Sequence, residues 1–216
     1  MEEPMQINPR PVSEEGLTRG LVLDDYTVAS RLVGPRKYDN EYSPLGAVVK
    51  KIKYGEKGKQ KREDAFLGET EVGDIVSREL SPYLEVGLRE LDLPQYIIVL
   101  PVPSYYEGDW EKRNRKHQYK YAAHVASLLE VKSYENLKKT TQESSKTAPL
   151  NTEYPEGAFK MSPKLRYPNN VLLVDDVYGD GRTLRACIRA LKADENVRDI
   201  FFLGLVRTRT TGVKGA

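Results

Sequence analysis

The chain has 216 residues, with 34 Lys and Arg against 32 Asp and Glu, so its formal net charge is only +2. A balance this close to neutral does not by itself indicate a nucleic-acid partner. The single cysteine excludes an internal disulfide and, with only two histidines, argues against a Cys- or His-based metal centre. No apolar run approaches the ~20 residues of a membrane span, and the polar start shows no signal peptide, so we expect a cytoplasmic protein.

The first part of the chain predicts an extension followed by helices. Residues 1–37 are predicted to form an N-terminal extension, a polar arm plus a short strand or hairpin over 20–34, ahead of a main domain over 38–216. Ser43-Pro44 indicates a helix start, with a capping serine and Pro at the first helical position. Apolar residues then follow on one face: Leu45, Val48, Val49 and Ile52. A second helix from about Thr70 is predicted to bury Val72, Ile75, Val76 and Leu80.

Three apolar runs in the rest of the chain predict buried strands: 96–100, 171–174 and 200–206. Helical patterns follow the first two. The first has Tyr119, Ala122, Ala123 and Ala126 on one face, and the second has Leu184, Cys187, Ile188 and Leu191. A further short strand is predicted in GAFKM (157–161). This alternation predicts an α/β fold with a mainly parallel central sheet flanked by helices. Ligands of such sheets bind at the carboxyl ends of strands, which here are followed by residues 101–116 and 175–183.

The stretch VLLVDDVYGDGRT (171–183) carries the clearest chemistry. Gly179 and Gly181 bracket a turn before a predicted helix, whose N-terminus offers free N–H groups and a partial positive charge. Such a loop suits a phosphate. Asp175 and Asp176 accept hydrogen bonds and suit vicinal hydroxyls. The stretch therefore predicts a site for a ribose 5-phosphate, although neighbouring side chains on a strand diverge, so that one aspartate could hold the loop or a metal-bound water instead.

These residues resemble the phosphoribosyl pyrophosphate (PRPP) loop of type I phosphoribosyltransferases, and the form VLLVDDVY-x-x-G-x-TL resembles the ComF-like family most. Three further segments resemble that family in the same order: KKIKYG (50–55), PVPS (101–104) with the basic stretch after it, and Gly157-Ala158-Phe159. The resemblance spans roughly residues 38–207. It implies a type I phosphoribosyltransferase fold and Mg²⁺-dependent phosphoribosyl transfer from PRPP to an unidentified acceptor.

The resemblance also implies roles for individual residues. Asp175 and Asp176 would be the catalytic pair on the ribose hydroxyls. The 5-phosphate would lie in the loop formed by Val177, Tyr178, Gly179, Asp180, Gly181, Arg182 and Thr183. The pyrophosphate would lie near Ser104, Tyr105, Arg113 and Arg115. Mg²⁺ would be held mainly by PRPP and not by a protein metal site. A homodimer fits this interpretation, and the sequence leaves the oligomeric state open.

The chain departs from the family pattern in three places. Asp180 stands where the family usually has Thr or Ser, and its charge is expected to repel a phosphate and to reduce or abolish activity unless it points to solvent. The family's RGFNQ is matched only in its arginine by Arg115-Lys116-His117-Gln118-Tyr119. The N-terminal four-cysteine zinc ribbon of many members cannot form from one cysteine.

The same features allow alternative interpretations. The aspartate pair could serve only to cap the strand end. An ATPase would need a G-x-x-x-x-G-K-[ST] loop, which Gly55–Gln60 lacks in spacing and hydroxyl. A different class of function is a non-catalytic accessory that binds single-stranded DNA during DNA uptake, as the ComF-like resemblance suggests. It would use two basic runs, the second interleaved with aromatic residues: Lys50, Lys51, Lys53, Lys57, Lys59, Lys61 and Arg62, then Lys112, Arg113, Arg115, Lys116 and Lys120.

Overall fold

The fold is built around a five-stranded, mainly parallel sheet, in a computed structural model that describes residues 7–34, 37–55, 69–103, 109–141 and 152–208. The strand order is β1-β2-β9-β8-β5. The strands β2, β9, β8 and β5 are mutually parallel, and β1 pairs antiparallel with β2 at the edge. The bounds are β1 (Arg10–Val12), β2 (Arg19–Asp25), β5 (Ile97–Pro101), β8 (Asn169–Tyr178) and β9 (Val197–Arg207).

Helices cover both faces of this sheet, each over its own apolar core. One face carries α1 (Pro44–Tyr54), α2 (Glu69–Ile75), α3 (Ser81–Leu91) and α4 (Asp109–Leu128). The other carries α5 (Arg182–Lys192) and a two-stranded sheet of β6 (Leu137–Lys139) and β7 (Phe159–Met161). In β8, Leu172 and Val174 belong to the first core, while Val171 and Leu173 belong to the second, as strand alternation requires. The predicted α/β fold class is confirmed.

The helix starts and buried faces follow the local sequence signals. The Ser43 hydroxyl accepts a hydrogen bond from the Gly46 N–H at 2.9 Å, and Pro44 occupies the first turn, as predicted. Leu45, Val49 and Ile52 form the buried face of α1. The predicted second helix is α2 continued by a π-helical turn (Val76–Leu80) into α3, and its four predicted apolar residues are all buried.

The predicted strands occur at their expected places, but two of them are longer than predicted: β8 ends four residues beyond the run 171–174, and β9 begins three residues before the run 200–206. The short strand expected in GAFKM is β7. The N-terminal segment is more closely integrated than the predicted extension. Its strand β2 hydrogen-bonds to β9 in the middle of the central sheet, and Val22 and Leu23 are fully buried. The hairpin here joins β3 (Thr27–Gly34) to β4 (Lys37–Tyr42), so it crosses the boundary placed at residue 37.

The parallel arrangement brings the carboxyl ends of β5 and β8 together at one edge. Pro101 is in register with Val174, and the Val102 N–H donates to the Val174 carbonyl at 2.9 Å. The segment after β5 therefore begins beside the aspartate pair. β8 itself continues to Tyr178, so residues 175–178, which were predicted to follow the strand, belong to it. Within the described ranges, no helix is long and apolar enough to cross a membrane.

Candidate functional site

The two aspartates lie near the carboxyl end of β8 and have different surroundings. Asp176 is on the face covered by α1 and α4, where its Oδ2 pairs with Lys53 Nζ at 2.9 Å. This ion pair is largely shielded, with side-chain exposures of 18% for Lys53 and 10% for Asp176. Asp175, one residue earlier, lies on the same face of β8 as Leu173, which is the face covered by α5. Burial raises the pKa of the Cys187 thiol on α5, and the charge of Asp175 raises it further.

The two carboxyls lie in different electrostatic surroundings. The Asp175 Oδ1 accepts a hydrogen bond from the Asp176 N–H at 2.9 Å. Burial first, and then the neighbouring Asp176 charge, raise the pKa of Asp175 to about 8, against an opposing effect of Lys53. The raised pKa favours the protonated form of the Asp175 carboxyl, whereas Asp176 is paired with a cation.

The loop after β8 forms the predicted tight turn into α5. Gly181 adopts a left-handed backbone with φ of 82°, and a side chain there would collide with the Glu14 carboxylate. α5 then begins at Arg182. The predicted sequence of strand, turn and helix N-terminus is thus present.

Asp180 turns back onto this helix start. Its Oδ1 accepts a hydrogen bond from the Arg182 N–H at 3.2 Å, and its Oδ2 pairs with Arg182 Nε at 2.7 Å. About a third of the Asp180 side chain is exposed. The carboxylate therefore does not point freely into solvent: it neutralises part of the positive charge that the loop would offer to a phosphate.

The outer side of the loop is tied to two distant segments. Arg185 donates to Glu14 Oε1 at 3.2 Å, to Glu153 Oε1 at 2.9 Å and to the Asp180 carbonyl at 3.1 Å. The Tyr178 hydroxyl also donates to Glu14 at 2.9 Å. Of the remaining predicted loop residues, Val177 packs against the core on the α1 and α4 face, and Thr183 is half-buried.

The predicted pyrophosphate residues are described only in part. Ser104 and Tyr105 lie outside the described residues. Arg113 and Arg115 lie in the first half of α4, where the side chains are likewise outside the description. Their predicted role stays a prediction.

Three polar residues near Asp176 were not predicted as site residues: Lys53, His117 and Tyr121. His117 and Tyr121 are four residues apart on α4 and both face the core, with exposures of 6% and 0%. Burial lowers the pKa of His117 to about 4, with a smaller opposing effect of Asp176. Two features of the sequence could have indicated them: Lys53 lies in the KKIKYG segment, and His117 lies in the RGFNQ-like stretch.

No group of three or more His, Cys, Asp or Glu side chains is arranged to hold a metal ion within the described part of the chain. Asp176 is already neutralised by Lys53, and the raised pKa of Asp175 favours its protonated form, so this pair is a poor direct ligand set for Mg²⁺. A cavity of about 630 Å³ lies elsewhere, between α2 with its π-helical turn and α4, and is lined in part by Asp74, Ser77 and His124.

The first basic run is partly engaged within the protein. Lys50 lies over the Tyr42 ring at 4.3 Å, Lys51 pairs with Glu79 at 3.1 Å, and Lys53 pairs with Asp176. These lysines therefore contribute less free positive charge than their spacing suggests. Lys57, Lys59, Lys61 and Arg62 lie outside the described residues.

No known protein family and no curated protein matches the chain. Among solved structures, it is similar to an adenine phosphoribosyltransferase from Thermoanaerobacter pseudethanolicus, at 13% identity and a TM-score of 0.41, over 84% of this chain and 95% of that one. The enzyme from Leishmania tarentolae is similar at 14% identity and a TM-score of 0.38, over 83% and 94%. The enzyme from Saccharomyces cerevisiae is similar at 13% and 0.36, over 82% and 83%. At such identities and scores, these likenesses establish neither the family nor the substrate of this chain; its α/β architecture rests on its own strand order and helices.

Proposed function

We propose that this protein binds PRPP at the carboxyl end of β8 and transfers its phosphoribosyl group to an acceptor not yet identified. One observation carries the proposal. An aspartate pair lies near the end of a central parallel strand, and the strand leads after Tyr178 into a turn with the left-handed Gly181 and a helix N-terminus. This arrangement offers hydroxyl-binding groups and an anion-binding loop within one short segment. The ComF-like motifs support the same proposal.

In this proposal, the two carboxyls act differently on the ribose. Asp176, paired with Lys53, accepts a hydrogen bond from a sugar hydroxyl. Asp175, whose pKa is raised to about 8, donates a hydrogen bond to a sugar oxygen at neutral pH. A protonated Asp175 beside the ion-paired Asp176 avoids placing two negative charges against the sugar.

Displacement at the anomeric carbon develops positive charge on the ribose and negative charge on the departing pyrophosphate. The proposed contribution of the protein is to hold the sugar and to align it with the acceptor. The ionised Asp176 lies on the sugar's side and favours the developing positive charge. Mg²⁺, carried largely by PRPP oxygens, would neutralise the leaving pyrophosphate.

Calorimetric titration of PRPP, with and without Mg²⁺, tests this proposal. We expect Mg²⁺-dependent binding to the wild type and its loss in Asp175→Asn/Asp176→Asn, because both sugar-binding carboxyls become amides. Asp194→Asn would not be a neutral control, since Asp194 is buried and structural; the exposed Asp199→Asn, at the start of β9, is suitable. Equal PRPP binding by the wild type and the double variant would contradict the proposed site.

Binding of single-stranded DNA stays a prediction without a structural observation in its favour. The described lysines of the first basic run contact Tyr42, Glu79 and Asp176 within the chain. A fall of DNA affinity with salt would be expected if the basic runs contact phosphates.

A further inference from the structure

Two buried polar atoms on α4, which packs on β8, have no hydrogen-bond partner among the described residues: His117 Nδ1 and Tyr121 Oη. Buried polar groups in proteins are nearly always hydrogen-bonded, so an unpartnered pair in one place calls for an explanation. His117 and Tyr121 lie one turn apart on the same face of α4, which packs on β8. Both are close enough to Asp176 for its charge to affect their pKa values.

Together with the Lys53–Asp176 ion pair, these two side chains form a cluster that we call the Lys53 cluster, consisting of Lys53, His117, Tyr121 and Asp176. Its charges balance. Lys53 and Asp176 cancel each other, burial keeps His117 neutral near pH 7, and burial, the largest effect, raises the pKa of Tyr121 and so keeps its hydroxyl protonated. A dianionic phosphate gains little from a neutral cluster, whereas a hydroxyl group can both donate to it and accept from it.

We propose that the Lys53 cluster is the hydroxyl-binding end of the sugar site, with Lys53 a direct ligand of the same sugar hydroxyl that Asp176 binds. The inference rests on the proposed function and adds residues to it. His117 and Tyr121 act as positioning residues. When a hydroxyl donates to Asp176, the Lys53 ammonium can donate to His117 Nδ1, and the Tyr121 hydroxyl can donate to Asp176. The two unpartnered atoms thereby gain partners in the bound state.

The first test compares matched lysine variants. Lys53→Met should weaken PRPP binding about 10-fold, the loss expected for a hydrogen bond to a charged group. Binding of magnesium pyrophosphate, which lacks the sugar, should not change. Lys51→Met, on the same helix but paired with Glu79, should bind both ligands as the wild type does. Equal weakening of PRPP and pyrophosphate by Lys53→Met would overturn the inference, because Lys53 would then act only as a general positive charge.

The second test uses variants that keep the Lys53–Asp176 pair. Tyr121→Phe and His117→Phe remove buried polar atoms that lack partners, so the ligand-free proteins should melt at the same or a higher temperature than the wild type. PRPP binding should nevertheless weaken about 3- to 10-fold in each. A structural role alone would not produce these opposite effects. Tyr83→Phe, on α3 against the same core, is the matched control.

The outcomes separate the two proposals. In one outcome, the wild type binds PRPP, and the variants His117→Phe, Tyr121→Phe and Lys53→Met bind it equally well. The Lys53 cluster then does not contact the sugar, while the proposed function stands. If the wild type does not bind PRPP under any condition, both proposals are wrong.

Discussion

At the scale of single residues, we predict that Asp180 limits how strongly the proposed loop holds a phosphate. Its carboxylate already occupies the Arg182 N–H and guanidinium. Asp180→Asn keeps a side chain able to cap α5 but removes the charge, so we expect PRPP affinity to rise roughly 10-fold or more, since opposing like charges cost several kcal/mol. Calorimetry of Asp180→Asn beside Asp199→Asn checks this. Unchanged affinity would show that Asp180 does not face the ligand's phosphate.

Asp175 offers a prediction about pH. Its pKa is raised in the folded protein to about 8, from 3.8, so the folded state binds more protons than the unfolded state between these values. The free energy of unfolding of the wild type therefore decreases, as far as Asp175 is concerned, as the pH rises from about 4 to about 8. The Asp175→Asn variant has no titratable group at this position. Its free energy of unfolding minus that of the wild type should therefore increase over that pH range and then level off. Urea unfolding at several pH values measures the difference; a constant difference would contradict the raised pKa of Asp175.

The residues found from the sequence and those missed differ in one physical respect. Asp175, Asp176 and Gly181 belong to a continuous segment whose strand, turn and helix signals are local. Lys53 and His117 reach Asp176 only because α1 and α4 pack over the same face of β8. Spacing along the chain carries no information about that packing, so the sequence does not connect a lysine in a basic run with a histidine in the RGFNQ-like stretch.

At the scale of elements, α5 connects the loop to two distant segments through Arg185. Arg185→Met removes its contacts with Glu14 and Glu153 and should raise amide hydrogen exchange in 10–18 and 152–155. We expect a loss of about 1 kcal/mol in stability, because the partly exposed Glu153 is screened by solvent. Arg89→Met, which loses an exposed pair with Glu85 on α3, is the control. Exchange that is unchanged in both segments would contradict this bridging role.

The helices and strands themselves were largely predictable, because apolar periodicity and capping residues act within a few positions. α1 begins at its predicted Ser-Pro signal, and β5, β8 and β9 coincide with the three apolar runs. The partner of β2 was not predictable in the same way. Asp25 pairs with Arg207 across 182 positions, and the same apolar stretch could have formed a local hairpin with 27–34.

At the scale of the whole molecule, the position of β2 predicts which truncations fold. Its residues Arg19–Asp25 pair with β9, and the buried Leu23 packs in the core beneath the helices. A chain of residues 38–216 would expose an edge of β9 and lose part of both cores, so we expect it to aggregate or to unfold without a cooperative transition. A chain of residues 10–216, which keeps β1 and β2, should unfold cooperatively. Circular dichroism during heating and size-exclusion chromatography distinguish the two, and a cooperative transition of 38–216 near that of the full chain would show that residue 37 is a domain boundary after all.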